Sequence, residues 1–154
     1  MHPDLSPAGN ALLARTLAYG KRADVAATFA VHNPADGSFI GDVADMGAPE
    51  TQRAIDAAKA AFPAWAARTA RERADILRAW FRLILENQEA LAEILTLEQG
   101  KPRAEALGEI VFGANFIEWF AEEGKRVYGD IVPTHAPDKR CLVLKQPIGV
   151  VGAI

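Results

Sequence analysis

The feature that most constrains this chain is a change of hydrophobic period at Pro49. Before it, Phe29 to Val31 and Phe39 to Val43 alternate as half-buried strands do. From Pro49 to Gly124 the apolar residues instead return every three or four positions, in segments separated by helix start and stop signals. A small β element followed by a series of helices is therefore expected.

The residues between the two strands, Asn33-Pro34-Ala35-Asp36-Gly37, are those a chain reversal needs, and they predict a β-hairpin or meander corner. Pro49, Glu50 and Thr51 open a helix with Ile55, Ala58 and Phe62 on one face, and Pro63 is expected to end or kink it. Thr69 and Glu72 form a capping box, the threonine oxygen accepting from the Glu72 N–H. On the helix that follows, Ile76, Leu77, Trp80, Phe81, Leu83, Ile84 and Leu85 cover most of the circumference, which predicts burial on more than one side. Asn87 is placed to cap a helix carrying Leu91, Ile94, Leu95 and Leu97, closed by Gly100 in the left-handed conformation. Pro102 opens the longest helix, on which Leu107, Ile110, Val111, Ala114, Ile117 and Ala121 keep the spacing up to Gly124.

Both ends carry weaker patterns. Ser6-Pro7 reads as an N-cap with proline in the first helical position, ahead of a short amphipathic helix with Leu12, Leu13 and Leu17. Pro133 and Pro137 bracket a loop, Cys141 to Gln146 has strand character, and Pro147-Ile148-Gly149 leads into an apolar run, Val150 to Ile154. Such a run is what a parallel strand buried on both faces looks like, and left uncovered it predicts poor autonomous stability. Because terminal residues are usually polar and frayed, the run also reads as an interruption.

Composition narrows the function. The net charge is −3 and no Lys/Arg run exceeds two residues, which gives no electrostatic footprint for nucleic acid. No apolar stretch approaches the roughly 20 residues of a spanning helix, and Met1-His2-Pro3-Asp4 lacks the basic start of a secretory signal. One cysteine, Cys141, excludes an internal disulfide and suits a reducing cytoplasm. His2, His32 and His135 lack metal-ligand spacing, so no metal site is expected.

Each candidate for chemistry has a plainer explanation. Cys141 has no base nearby and reads as a structural strand residue. Gly149-Val150-Val151-Gly152 lacks the third glycine and following helix of a dinucleotide fingerprint. Glu98 beside Gly100 reads as a polar helix end, and Glu118, Glu122, Glu123, Lys125 and Arg126 as a solvated face with a Glu122 to Arg126 pair. Trp80, Phe116, Trp119 and Phe120 have the composition of a ligand channel, but aromatics at helical spacing are usually core. The residues alone assemble no catalytic set.

Several blocks nevertheless resemble one family. Phe29-Ala-Val-His-Asn-Pro-Ala-Asp-Gly37, Glu50-Thr-Gln-Arg-Ala-Ile-Asp-Ala-Ala58, Thr96-Leu-Glu-Gln-Gly-Lys-Pro102, Phe116-Ile-Glu-Trp-Phe-Ala-Glu-Glu-Gly-Lys-Arg-Val-Tyr-Gly-Asp130 and Lys145-Gln-Pro-Ile-Gly-Val150 look like the aldehyde dehydrogenase superfamily. The Phe116 to Asp130 block with Leu144 to Val150 is similar in particular to succinate-semialdehyde dehydrogenases. The resemblance implies an α/β fold, of which this chain is the N-terminal portion: a β corner, four helices, an oligomerisation strand and the first strand of the cofactor-binding sheet. It divides the chain into a variable segment (1–28), the helical part of the cofactor-binding domain (29–139), the oligomerisation strand (140–147) and the first cofactor strand (148–154).

The implied activity is oxidation of an aldehyde, succinate semialdehyde for this subfamily, to the acid with NAD or NADP, by a homo-oligomer. A cysteine thiolate attacks, hydride leaves to the nicotinamide, a glutamate activates water and an asparagine holds the oxyanion. The motifs supplying these groups do not occur in this chain, and neither Cys141 nor Glu98 matches them. The resemblance therefore implies no catalytic residue here, and no cofactor bound by this chain alone. It carries over only Ile154 at the edge of the cofactor pocket, Ala104, Gly108 and Phe112 as a wall of the substrate tunnel, and Arg140 to Pro147 as the arm that pairs with a neighbouring subunit. One block departs: where the family has a Tyr-Ile-Asn-Gly-x-Trp strand, this chain reads Leu17-Ala-Tyr-Gly-Lys-Arg-Ala-Asp24, which puts the first strand in doubt. The alternative reading is a non-enzymatic helical module that joins full-length dehydrogenase subunits through the Cys141 to Gln146 edge.

Overall fold

The computed structural model describes residues 2–21 and 27–153, with the backbone only at 19–21. The change of period at Pro49 divides it as expected. Strands β1 (Thr28–His32) and β2 (Phe39–Ala44) pair antiparallel, with Phe29 opposite Val43 and an irregularity between Val31 and His32. Their connection turns because the Asn33 carbonyl accepts the Gly37 N–H at 2.8 Å and the Asn33 side chain accepts the Ala35 N–H at 2.9 Å. Gly37 takes φ +76°, a conformation that side chains with a Cβ resist.

Five helices are described: α1 (Pro7–Lys21), α2 (Ala48–Ala66), α3 (Ala70–Glu86), α4 (Gln88–Gln99) and α5 (Arg103–Glu123). The Thr69 capping box forms as read, with the Glu72 carboxylate accepting the Thr69 N–H at 2.8 Å. Gly100 closes α4 at φ +77°. Helix α1 occupies the N-terminal segment through Lys21, where the family pattern has its first strand; the rest of that block, Arg22 to Asp24, lies outside the described residues.

Some local expectations are corrected. Pro63 does not end α2, which runs on to Ala66, because the one N–H that proline removes lies in its last turn. Asn87 does not cap α4 with its side chain, which donates back to the Leu83 carbonyl at 2.8 Å and secures the end of α3. A strand, β3 (Asp130–Val132), precedes the expected proline loop and pairs antiparallel with β4, which is limited to Cys141–Val143. Residues 144–153, including Val150 to Ala153, lie outside any strand, since no ladder partner reaches them among the described residues.

The largest correction concerns the core. Helix α5 packs against α3 and α4, and the buried apolar residues of these helices are nearly all small: Ala106, Ala114 and Ala121 on α5, Ala74 on α3, and Ala90 and Ala92 on α4, with Leu97 of α4 the one larger side chain. Short side chains let helix axes approach closely, so α3 meets its neighbour by a narrow strip. Its outer arc is left open, with Ile76, Trp80 and Leu83 exposed instead of buried on more than one side. Helix α2 has no buried residue at all.

Candidate functional site: the outer face of α5

At 100° per residue, Ala106, Ala114 and Ala121 share one stripe of α5, and Phe112, Phe116, Trp119 and Phe120 fall roughly opposite it. Packing the alanine stripe inward therefore turns the four aromatic rings out. Phe112 is 64% and Trp119 62% exposed, and Phe116 and Phe120 are exposed as well. Phe112 and Phe116 meet edge to face, with centroids 5.0 Å apart. Together with Asn115, the four rings line an open hollow of about 420 Å³. Beyond Phe112 and Phe116 a second hollow of about 570 Å³ runs between Ile84, Leu91, Leu95 and Ile110.

Ala104, Gly108 and Phe112, four residues apart, lie on one exposed stripe beside the aromatic arc. A Cβ on Gly108 would meet nothing within 4 Å. The structure thus puts these three residues on one accessible face, and Ile154 lies outside the described residues. The expectation that Trp80, Phe116, Trp119 and Phe120 are core is corrected, because all four are exposed. The signal that identifies the face is the repeat of small residues at 106, 114 and 121, which marks the packed side of the helix. Asn115, the one polar side chain lining the aromatic hollow, carried no signal of its own.

Charge borders this face and enters it at Glu109, which lines the second hollow. Arg78 of α3 bonds Glu122 of α5, which also holds Lys125; hydrogen bonds from Lys125 and Arg78 lower the Glu122 pKa to about 2. Glu122 thus ties two helices instead of pairing with Arg126, which bonds Glu123. Arg103 bridges Glu89 and Glu93, and Lys101 bonds Glu109. The Glu93 carboxyl is held below its ordinary value by the Ser6 hydroxyl and then by Arg103.

The aromatic hollow contains no nucleophile, acid or base: it can bind an apolar body and hydrogen-bond through Asn115, and nothing more. Cys141 is exposed on β4 and Glu98 is exposed on the last turn of α4, so the two sit on separate elements. Among the described residues no group of three or more His, Cys, Asp or Glu is placed to hold a metal ion. Gly149, at φ +120°, and Gly152 stand outside any helix or strand. No helix of the described residues is long and apolar enough to cross a membrane.

These features define an α/β piece with a packed alanine interior and an exposed apolar face, and comparison with known proteins supplies the class. Residues 21–154 match the aldehyde dehydrogenase family, and the chain belongs to that family of oxidoreductases. Among particular proteins, it is 64% identical to the succinate-semialdehyde dehydrogenase [NADP(+)] GabD of Escherichia coli, over 80% of this chain and 26% of that protein. It is 61% identical to the glutarate-semialdehyde dehydrogenase of Pseudomonas aeruginosa, over 86% of this chain and 27% of that protein. The crystal structure of succinate-semialdehyde dehydrogenase from Burkholderia pseudomallei superposes with a TM-score of 0.78 at 60% identity, covering 80% of this chain and 26% of that one. The chain therefore spans about a quarter of the length of the curated relatives it matches.

Proposed function

We propose that this chain is the N-terminal part of an NAD(P)-dependent aldehyde dehydrogenase that oxidises succinate semialdehyde to succinate in the cytoplasm, and that the 154 residues alone are inactive. The observation that carries the reading is the 64% identity to a succinate-semialdehyde dehydrogenase. In this reading Ala104, Gly108 and Phe112 line the aldehyde's path, which their shared exposure on α5 supports. Residues 29–139 supply the helical part of the cofactor-binding domain, Arg140 to Pro147 the arm of a homo-oligomer, and 148–154 the first cofactor strand, with Ile154 at the pocket edge. The coenzyme would be held by residues beyond those described, and its chemistry is to accept hydride from the substrate.

The test is a chimera in which this chain replaces the matching stretch of the Escherichia coli relative. Succinate-semialdehyde-dependent NADPH formation is expected from the chimera and none from the 154 residues alone. A folded but inactive chimera would overturn the first half of the reading, and turnover by the isolated chain the second. A non-enzymatic role as a module docking on full-length subunits is favoured by one observation: every residue of β3 and β4 is exposed. It predicts co-purification with a full-length dehydrogenase, abolished by Leu142→Lys.

A further inference from the structure

The segment that precedes the family match is tied to the helical body by side-chain hydrogen bonds. Residues 2–6 fold back on α1: the Asn10 side chain accepts the His2 N–H at 2.6 Å and donates to the carbonyls of His2 and Leu5, each at 3.0 Å. His2 and Leu5 are both buried by this turn. Ser6 caps α1, its hydroxyl oxygen accepting the Gly9 N–H at 3.0 Å. The same hydroxyl donates to Glu93 Oε2 at 2.6 Å, and the Ser6 N–H reaches that oxygen at 3.1 Å. Glu93 sits on α4, and its other oxygen accepts from Arg103 of α5 at 3.1 Å. One carboxylate therefore joins the start of α1 to two helices of the body.

Two glycines leave room for the side chains that make this fit. A Cβ on Gly9 would stand 2.6 Å from Glu93 Oε2, and a Cβ on Gly41 of β2 would stand 2.6 Å from the Leu17 side chain of α1. Both glycines are buried, one at each end of the helix's docking surface. Helix α1 thus packs on α4 with one end and on β2 with the other. The hairpin needs such a partner, because two isolated strands are marginal in water. Neither strand packs comparably on α3, α4 or α5; the turn adds a touch of Pro34 on Gly100.

We propose that residues 2–18 are a built-in strap, caught on Glu93, whose docking holds the β1–β2 hairpin to the helical body. Released at Glu93, the strap frees the hairpin with it and leaves α3 and α5 packed. The strap lies ahead of the residues that match the family model, so its role does not rest on the proposed enzymatic activity.

Hydrogen exchange on the full chain, read segment by segment, tests this in two variants. Glu93→Ala removes the acceptor for both Ser6 groups, and Gly41→Val displaces Leu17 without touching Glu93 or Arg103. In Glu93→Ala, amides of α1 and of β1–β2 are expected to exchange together at least about tenfold faster, the scale of losing one charge-assisted contact; in Gly41→Val the same two segments are expected to accelerate together, and in both variants α3 and α5 keep wild-type rates. If α1 accelerates and the hairpin does not, the hairpin holds itself and the proposal fails. If α3 and α5 accelerate with α1 in both variants, the segment belongs to the global fold and is not a strap. Should Glu93→Ala fail to fold through loss of its Arg103 pair, Gly41→Val decides alone, by the same two criteria.

Discussion

Substituting one residue in two places on the same helix separates the packed side of α5 from its open side. Ala104 and Ala106 both lie in its first turns, two positions apart, yet Ala106 is fully buried and Ala104 exposed. Alanine to leucine changes helix propensity equally and slightly at both sites, so the difference between the variants reports packing alone. At Ala106 three extra carbons enter a helix interface with no exposure and must displace a neighbour, which costs about 1–3 kcal/mol. At Ala104 the same carbons enter solvent, where substitutions stay within about 0.5 kcal/mol. For a chain of this length about 1 kcal/mol lowers Tm by roughly 2–4 °C, so Ala106→Leu should melt about 2–12 °C lower and Ala104→Leu within about 2 °C of wild type. Thermal unfolding followed by far-ultraviolet circular dichroism measures both. Equal shifts would refute the inward orientation of the alanine stripe, and with it the outward orientation of the aromatic rings.

The remaining predictions concern the ties between elements. Because the Glu122 carboxyl titrates near 2 in the folded chain, below its ordinary 4.5, its bonds to Arg78 and Lys125 contribute stability above about pH 4.5 that is lost as pH falls towards 2. Urea midpoints of wild type and Glu122→Gln should therefore differ at pH 6 and converge near pH 2 on the order of the carboxylate titration, and a difference independent of pH would exclude the ion pair as its source. Thr69→Ala removes the cap of α3 and should lower stability by about 1 kcal/mol in urea unfolding, whereas Thr69→Ser should retain most of it. Gly100→Ala places a Cβ at φ +77° and 3.2 Å from Pro34, and should cost about 1–2 kcal/mol; no loss would mean that the turn is not left-handed in solution. Gly129→Ala puts a Cβ against the Val143 carbonyl and should unpair β3 from β4, seen as faster amide exchange at Asp130 to Val132 with α3 to α5 unaffected.

Local structure was legible where a short stretch decides its own conformation. The Asn33 to Gly37 turn, the Thr69–Glu72 box and the Gly100 stop depend on hydrogen bonds and dihedral angles spanning three to five residues, and all three stand where the pattern puts them. Burial was not legible in the same way. An apolar residue on a helix shows that a surface prefers to leave water, and it does not identify the surface that covers it. Trp80, Phe116 and Trp119 carry the same pattern as core residues, yet the alanines took the interior, because two helices can approach only as closely as their side chains allow. Likewise Glu122 had an eligible partner at Arg126 in sequence and took Arg78, forty-four positions away, in space.

The same distinction bears on the candidate site. A wall of a binding path needs accessible, contiguous side chains, and Ala104, Gly108 and Phe112 meet that condition because Ala106, Ala114 and Ala121 fix how α5 is rotated. An exposed apolar patch of this kind marks a surface that meets something other than water. In the reading proposed here it meets substrate and the remaining three-quarters of the enzyme. A bulky group at Gly108, where an added Cβ would meet nothing, should then leave folding of the chain untouched and still impair the chimera. The expected signature of Gly108→Leu is a rise in KM for succinate semialdehyde with unchanged Tm. An unchanged KM would show that α5 presents this face to protein alone.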